Sequence, residues 1–132
     1  MASASRELLA PRADVWAFLA EPYHLADWWP GILGVEPDRR GFAPGARWKV
    51  RVRTRNVFTG RGTRETLLLV RDVEPFERWA WHLLASRLEV ELRLRAAAPD
   101  RTVVSCTTSG RRRLAPLALQ RLYDLVQTAA VL

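Results

Sequence analysis

The chain has 132 residues, enough for one domain and too few for two ordinary ones. Its 21 Lys+Arg against 14 Asp+Glu leave a net charge of +7, and its single cysteine, Cys106, excludes an internal disulfide framework or a cysteine-based metal cluster. The longest nearly apolar stretch is short and broken by arginine, which excludes a membrane-spanning helix, and the first residues lack the long apolar region of a signal peptide, so a cytoplasmic location is expected.

Residues 3–9 can form a short first strand, although their alternation is poor. Ala10-Pro11-Arg12-Ala13-Asp14 reads as a turn into a helix, in which Val15, Trp16, Phe18 and Leu19 supply the apolar stripe. Glu21-Pro22 ends that helix, because the residue before proline is pushed out of helical geometry. Tyr23 to Trp29 predicts a second short helix, closed by Pro30-Gly31. Of the adjacent Trp28 and Trp29, helical spacing sends one to the core and the other towards the surface, as packing or as a gate.

From Ile32 the period changes to two. Ile32–Glu36 is a strand stopped by Pro37-Asp38. Ala46–Arg53 alternates, with Trp48, Val50 and Val52 on one face and Arg47, Lys49, Arg51 and Arg53 on the other, the pattern of an antiparallel sheet covered on one side. Residues 54–62, with Asn56, Gly60 and Gly62, read as a hairpin connection. Thr63–Val73 is the next strand, then Glu77–Leu84 with Trp79, Trp81 and Leu83 opposite Arg78, Ala80 and His82. In 87–95 the alternation is strict, with Leu88, Val90, Leu92 and Leu94 sharing a face. A turn at Pro99-Asp100 leads to the β-branched strand Thr102–Thr108. Arg111–Leu132 returns to helical spacing, with Leu114, Leu117, Ala118, Arg121, Leu122, Leu125, Val126 and Ala129 as its stripe. The fold class is therefore α+β: strand, two short helices, six strands and one long helix, in a single domain over 1–132.

In this order the sequence resembles the START-like, helix-grip (SRPBCC) superfamily, and within it the polyketide cyclase/dehydrase group of small bacterial proteins. Three segments carry the resemblance: Ala10–Leu19, Tyr23–Pro30 and Asp72–Trp81, the last with its Glu74-Pro75 turn. The resemblance implies a curved antiparallel sheet of about seven strands wrapped around the C-terminal helix, with a cavity between them. Trp48, Val50, Trp79, Trp81, Leu117, Arg121 and Leu125 are the expected lining, with Trp29 near the mouth. Six tryptophans can equally meet and fill that space.

The function expected first is a carrier or sensor for an apolar or amphipathic small molecule such as a lipid, polyketide or aromatic compound. A cyclase or dehydratase is the alternative, and it needs an inward titratable pair, such as His82 with Asp72 or Arg121. His82 is a candidate acid/base group only if Trp79 and Trp81 face outwards. Asp72 and Glu65 are seven positions apart, an odd step that assigns them to opposite faces of a regular strand. Glu89 and Glu91 share the arginine face and read as a solvated charge ladder. Cys106 reads as a small buried apolar residue.

Arg121 either snorkels past the helix edge or binds an anionic head group inside the cavity, and Tyr123 sits at the rim. A third reading is a basic surface for RNA, anionic lipid or a protein partner. The spread of the arginines argues against nucleic acid, since the densest run is Arg111-Arg112-Arg113. No metal or cofactor is expected, because His24 and His82 have no ligand spacing around them, and homodimerisation is left open.

Overall fold

The structure is a computed structural model that describes residues 2–54, 62–109 and 114–131, with side chains as far as residue 127. The expected hairpin tip around Asn56 and Gly60 and the run Arg111-Arg112-Arg113 lie outside the described residues. The period-two segments form β1 (Ala2–Leu8), β2 (Ile32–Glu36), β3 (Arg47–Thr54), β4 (Gly62–Glu74), β5 (Arg78–Leu83), β6 (Leu88–Ala98) and β7 (Arg101–Thr108). The helices are α1 (Arg12–Leu19), α2 (Leu25–Trp28), entered through a 3-10 turn at Pro22–His24, and α3 (Leu114–Val131).

All seven strands join one antiparallel sheet in the order β1-β7-β6-β5-β4-β3-β2. β2 to β7 form a meander of neighbours, while β1 returns to the far edge beside β7, pairing Ala4 with Cys106. Residues 9–31 must therefore carry the chain from one edge of the sheet to the other. α1 and α2 make that crossing, and their buried Val15, Leu19, Leu25 and Trp28 join the core.

Alternation decides the inner face of each strand. Trp48 and Val50 of β3, Leu68 and Val70 of β4, Trp79 and Trp81 of β5, and Leu92 and Leu94 of β6 are buried. α3 packs chiefly on β1 and also on β7 and α2, and its Ala115, Ala118, Leu119, Leu122 and Val126 are buried.

The buried face of α3 shares Ala118, Leu122 and Val126 with the expected stripe but adds Ala115 and Leu119 in place of Leu117 and Arg121. Leu117 is 45% exposed and Arg121 is exposed, while Leu125 is half-buried at the edge. Leucine is plentiful enough on this helix to support more than one phase, and Leu119 and Leu122 are buried while Leu117 is exposed.

One bulge changes an expected parity. β4 pairs Val70 with Trp81 and Asp72 with Ala80, so Arg71 is the extra residue. Asp72 thereby joins Glu65 on the outer face, instead of opposing it. They still form no pair, since the strand separates them by about 20 Å at ~3.3 Å per residue.

Candidate ligand-binding site

The centre of the concave face is full. Trp28, Trp29, Trp48, Trp79 and Trp81 are each 0–1% exposed and pack on one another. Ring centroids lie 6.4 Å apart for Trp28–Trp79, 4.9 Å for Trp29–Trp81, 5.9 Å for Trp48–Trp79 and 4.7 Å for Phe42–Trp79. The tilted and edge-on arrangements are those aromatic quadrupoles prefer. Trp48 Nε1 donates to the Gly41 carbonyl at 2.7 Å. The indole N–H groups of Trp79 and Trp81 are buried with no hydrogen-bond partner among the described residues. Trp48, Val50, Trp79 and Trp81 thus face inwards as expected, but as the filling of the sheet's middle.

Trp28 and Trp29 are both buried, contrary to the expectation that one lies near the surface. The reason is local. Trp28 is the last helical residue, whereas Trp29 has φ −86° and ψ 124° and is extended, so the two side chains no longer diverge by a helical step.

A recess of about 440 Å³ lies at one end of the sheet. Its apolar wall is Trp29, Ile32, Val52, Leu83, Leu88 and Leu114. Trp29 is shared, closing the recess on one side and the aromatic cluster on the other. Arg53, Arg64 and Arg87 border the recess with Ser86 and Ser109.

Each margin is held by backbone contacts. Gly31 turns the chain from α2 into β2 at φ 86°, a left-handed conformation that glycine takes without a Cβ clash, and its carbonyl accepts from Arg53 N–H at 2.8 Å. The β5–β6 turn is pinned by Ala85 N–H donating to Thr66 Oγ1 at 3.1 Å and Leu84 N–H to the Leu67 carbonyl at 3.0 Å. At the end of β7, Ser109 N–H donates to the Glu89 carbonyl at 2.9 Å while Glu89 N–H donates to Ser109 Oγ at 2.8 Å.

Among the sequence-expected site residues, Trp29 alone borders the recess. Leu117 and Arg121 point away from it on the exposed side of α3, and Leu125 is not in its wall. The signal for the missed residues was present in the alternation. Val52, Leu83 and Leu88 continue the inward faces of β3, β5 and β6 towards the strand ends, but strand periodicity does not say which inward positions are already filled.

With Trp79 and Trp81 inward, His82 lies on the outer face. Its side chain is 18% exposed, Nδ1 is 2.9 Å from Arg71 Nη2, and Glu89 Oε1 is 3.8 Å away. A shallow groove of about 330 Å³ there is bordered by both signs of charge, including Arg71, Asp72, Arg78, Glu89 and Glu91. Arg78 reaches Glu91 at 3.2 Å, Asp72 at 3.4 Å and Glu74 at 3.6 Å, and Arg93 also bonds Glu91. Burial raises the Glu91 pKa, but the hydrogen bonds from Arg93 and Arg78 outweigh it and the net shift is downwards. This is the expected charge ladder.

Cys106 is buried on β7, and desolvation pushes its thiol pKa up to about 12. Tyr123 is partly buried beneath Arg6, whose guanidinium carbon lies 4.3 Å from the ring centroid. His24 Nδ1 donates to the Phe18 carbonyl at 2.8 Å, and its ring stacks on the Phe18 ring with centroids 4.1 Å apart. Among the described residues, no group of three or more His, Cys, Asp and Glu side chains could hold a metal ion, and no helix is long and apolar enough to cross a membrane.

The architecture is shared with solved structures. Protein NE0264 from Nitrosomonas europaea superimposes with a TM-score of 0.70 at 18% identity, over 99% of this chain and 96% of that one. DR_A0006 from Deinococcus radiodurans gives 0.70 at 18%, over 98% and 95%. The di-domain ARO/CYC StfQ from the steffimycin biosynthetic pathway gives 0.67 at 19%, over 98% of this chain and 45% of that one. At these identities the likeness is one of fold. A search of curated proteins found no match. The family described as "Polyketide cyclase / dehydrase and lipid transport" matches residues 2–128, nearly the whole sequence. With its seven-stranded antiparallel sheet and long C-terminal helix, this chain belongs to that polyketide cyclase/dehydrase and lipid transport family.

Proposed function

We propose that this protein binds an apolar or amphipathic small molecule, as a carrier or sensor, in the recess walled by Trp29, Ile32, Val52, Leu83, Leu88 and Leu114. The observation that carries the reading is a recess of about 440 Å³ with one apolar wall and a polar border, within the common size range of small-molecule sites. Its described border holds no carboxylate, histidine, cysteine or tyrosine. Residues 55–61 and 110–113 contain none of these either. A cyclase or dehydratase needs a group that moves a proton at the bound substrate, so binding without turnover is favoured. His82, the acid/base candidate, is on the opposite face of the sheet from the recess wall.

The test is displacement of an environment-sensitive apolar dye, followed by native mass spectrometry with fatty acids and aromatic polyketide-like compounds. One-to-one binding is expected, accompanied by a change in tryptophan emission through Trp29. Leu88→Trp, which fills the recess from its own wall, should abolish binding while the thermal midpoint is retained. Failure of every apolar compound to bind wild-type protein discards the reading.

A further inference from the structure

Three arginines border the recess, and their surroundings contrast with those of several arginines on the outer face of the sheet, although Arg47, Arg51 and Arg95 on that face have no described ion pair either. There, Arg71 faces Glu89, Arg78 faces three carboxylates, Arg93 bonds Glu91, and Arg101 lies 3.9 Å from Glu7. Arg53, Arg64 and Arg87 border the recess, and none of them forms an ion pair with a described carboxylate. Arg64 occupies the register position opposite Val52, on the face that carries Trp48 and Val50. A charged residue therefore ends an inward row that is otherwise apolar or neutral. Arg87 holds φ 52° in the β5–β6 turn, a left-handed conformation that glycine would adopt more cheaply, yet the position carries a guanidinium beside the recess. Three like charges around one apolar opening raise the local positive potential, and an anion of matching shape relieves it.

We infer that the ligand is an amphipathic anion, whose apolar body lies against Trp29, Leu83 and Leu88 and whose carboxylate or phosphate head is held by Arg64 with Arg53 and Arg87. The inference rests on the proposed binding function and adds the head group to it. Guanidinium suits either head, because its planar fork offers paired N–H donors to two oxygens. Arg121 is exposed on α3, in line with its reading as a residue that snorkels past the helix edge, and the head-group role considered for it belongs in this proposal to the strand-end arginines.

The experiment measures binding of decanoate, decyl phosphate, decanol and inorganic phosphate to the full chain by calorimetry, for wild type, Arg64→Gln and Arg95→Gln. Arg95 belongs to β6 and is exposed away from the recess. Decanoate and decyl phosphate should bind wild type about tenfold or more tightly than decanol, as expected for hydrogen bonds to a charged group. Arg64→Gln should lose most of that preference and keep its affinity for decanol, which also shows that it is folded; Arg95→Gln should match wild type. The ratio of decyl phosphate to decanoate identifies which head the site takes.

Equal binding of decanol and the two anions overturns the inference and leaves the proposed function standing. Inorganic phosphate binding as tightly as decyl phosphate also overturns it, since the apolar body would then contribute nothing. If no alkyl compound binds, the inference falls, and the proposed function falls with it only when the aromatic compounds also fail to bind.

Discussion

The Trp29 and Trp81 rings meet edge to face, with centroids 4.9 Å apart and planes at 81°. Through this contact the wall of the recess is also the outermost layer of the aromatic core. Trp29→Ala should therefore cost about 3–5 kcal/mol of stability, read as a lower urea midpoint. Trp29→Phe should cost less and retain binding, because a ring still separates the recess from Trp81. A Trp29→Ala protein as stable as wild type would show that the two regions are independent.

Trp48 and Trp79 are both fully buried, but only Trp48 has a partner for its N–H among the described residues. Replacing either with phenylalanine removes similar volume. Trp48→Phe also removes the donor to the Gly41 carbonyl, whereas Trp79→Phe removes a buried N–H that has no acceptor. Trp79→Phe should be the milder change by about 1–2 kcal/mol, as measured by denaturant unfolding at neutral pH.

The Cys106 thiol is pushed from its ordinary 9.0 to about 12 by burial. Between those values the folded chain holds a proton that the unfolded chain releases, so folding stability falls as pH rises through the window. The slope approaches a factor of about ten in the folding equilibrium per pH unit. Cys106→Ala should flatten this alkaline slope. A thiol reagent at pH 8 should label wild type only after denaturant is added, and rapid labelling of the native protein would contradict the burial of β7.

Glu91 behaves in the opposite sense. Its pKa is lowered from 4.5 because the bonds from Arg93 and Arg78 outweigh burial. The stability it contributes is complete above that ordinary value and is lost as pH falls through the lower, folded one. Arg78→Gln should make acid destabilisation shallower, as seen in thermal midpoints taken from neutral pH down past 4.5. An unchanged acid profile would mean that the partly exposed cluster contributes only what surface pairs usually do.

Element order and inner faces were legible in the sequence because each has a local cause. Alternation in 46–53, 77–84 and 87–95 named the inward side chains, and Glu21-Pro22, Pro30-Gly31 and Pro99-Asp100 marked the breaks. The resemblance in Ala10–Leu19 and Asp72–Trp81 added the grip itself. Three features depended on information beyond the local pattern. The bulge at Arg71 reverses the parity of Asp72, the extended backbone of Trp29 buries a second indole, and the packing of α3 buries Leu119 and leaves Leu117 exposed.

By itself, the sequence determined a helix-grip fold with an indole-rich concave face, because side-chain alternation and chain breaks act over a few residues. Only the tertiary structure decided where that face is filled and where it stays open. Volume is a property of many side chains meeting, and Trp48, Trp79 and Trp81 close the middle while Trp29, Leu83 and Leu88 leave a recess at the strand ends.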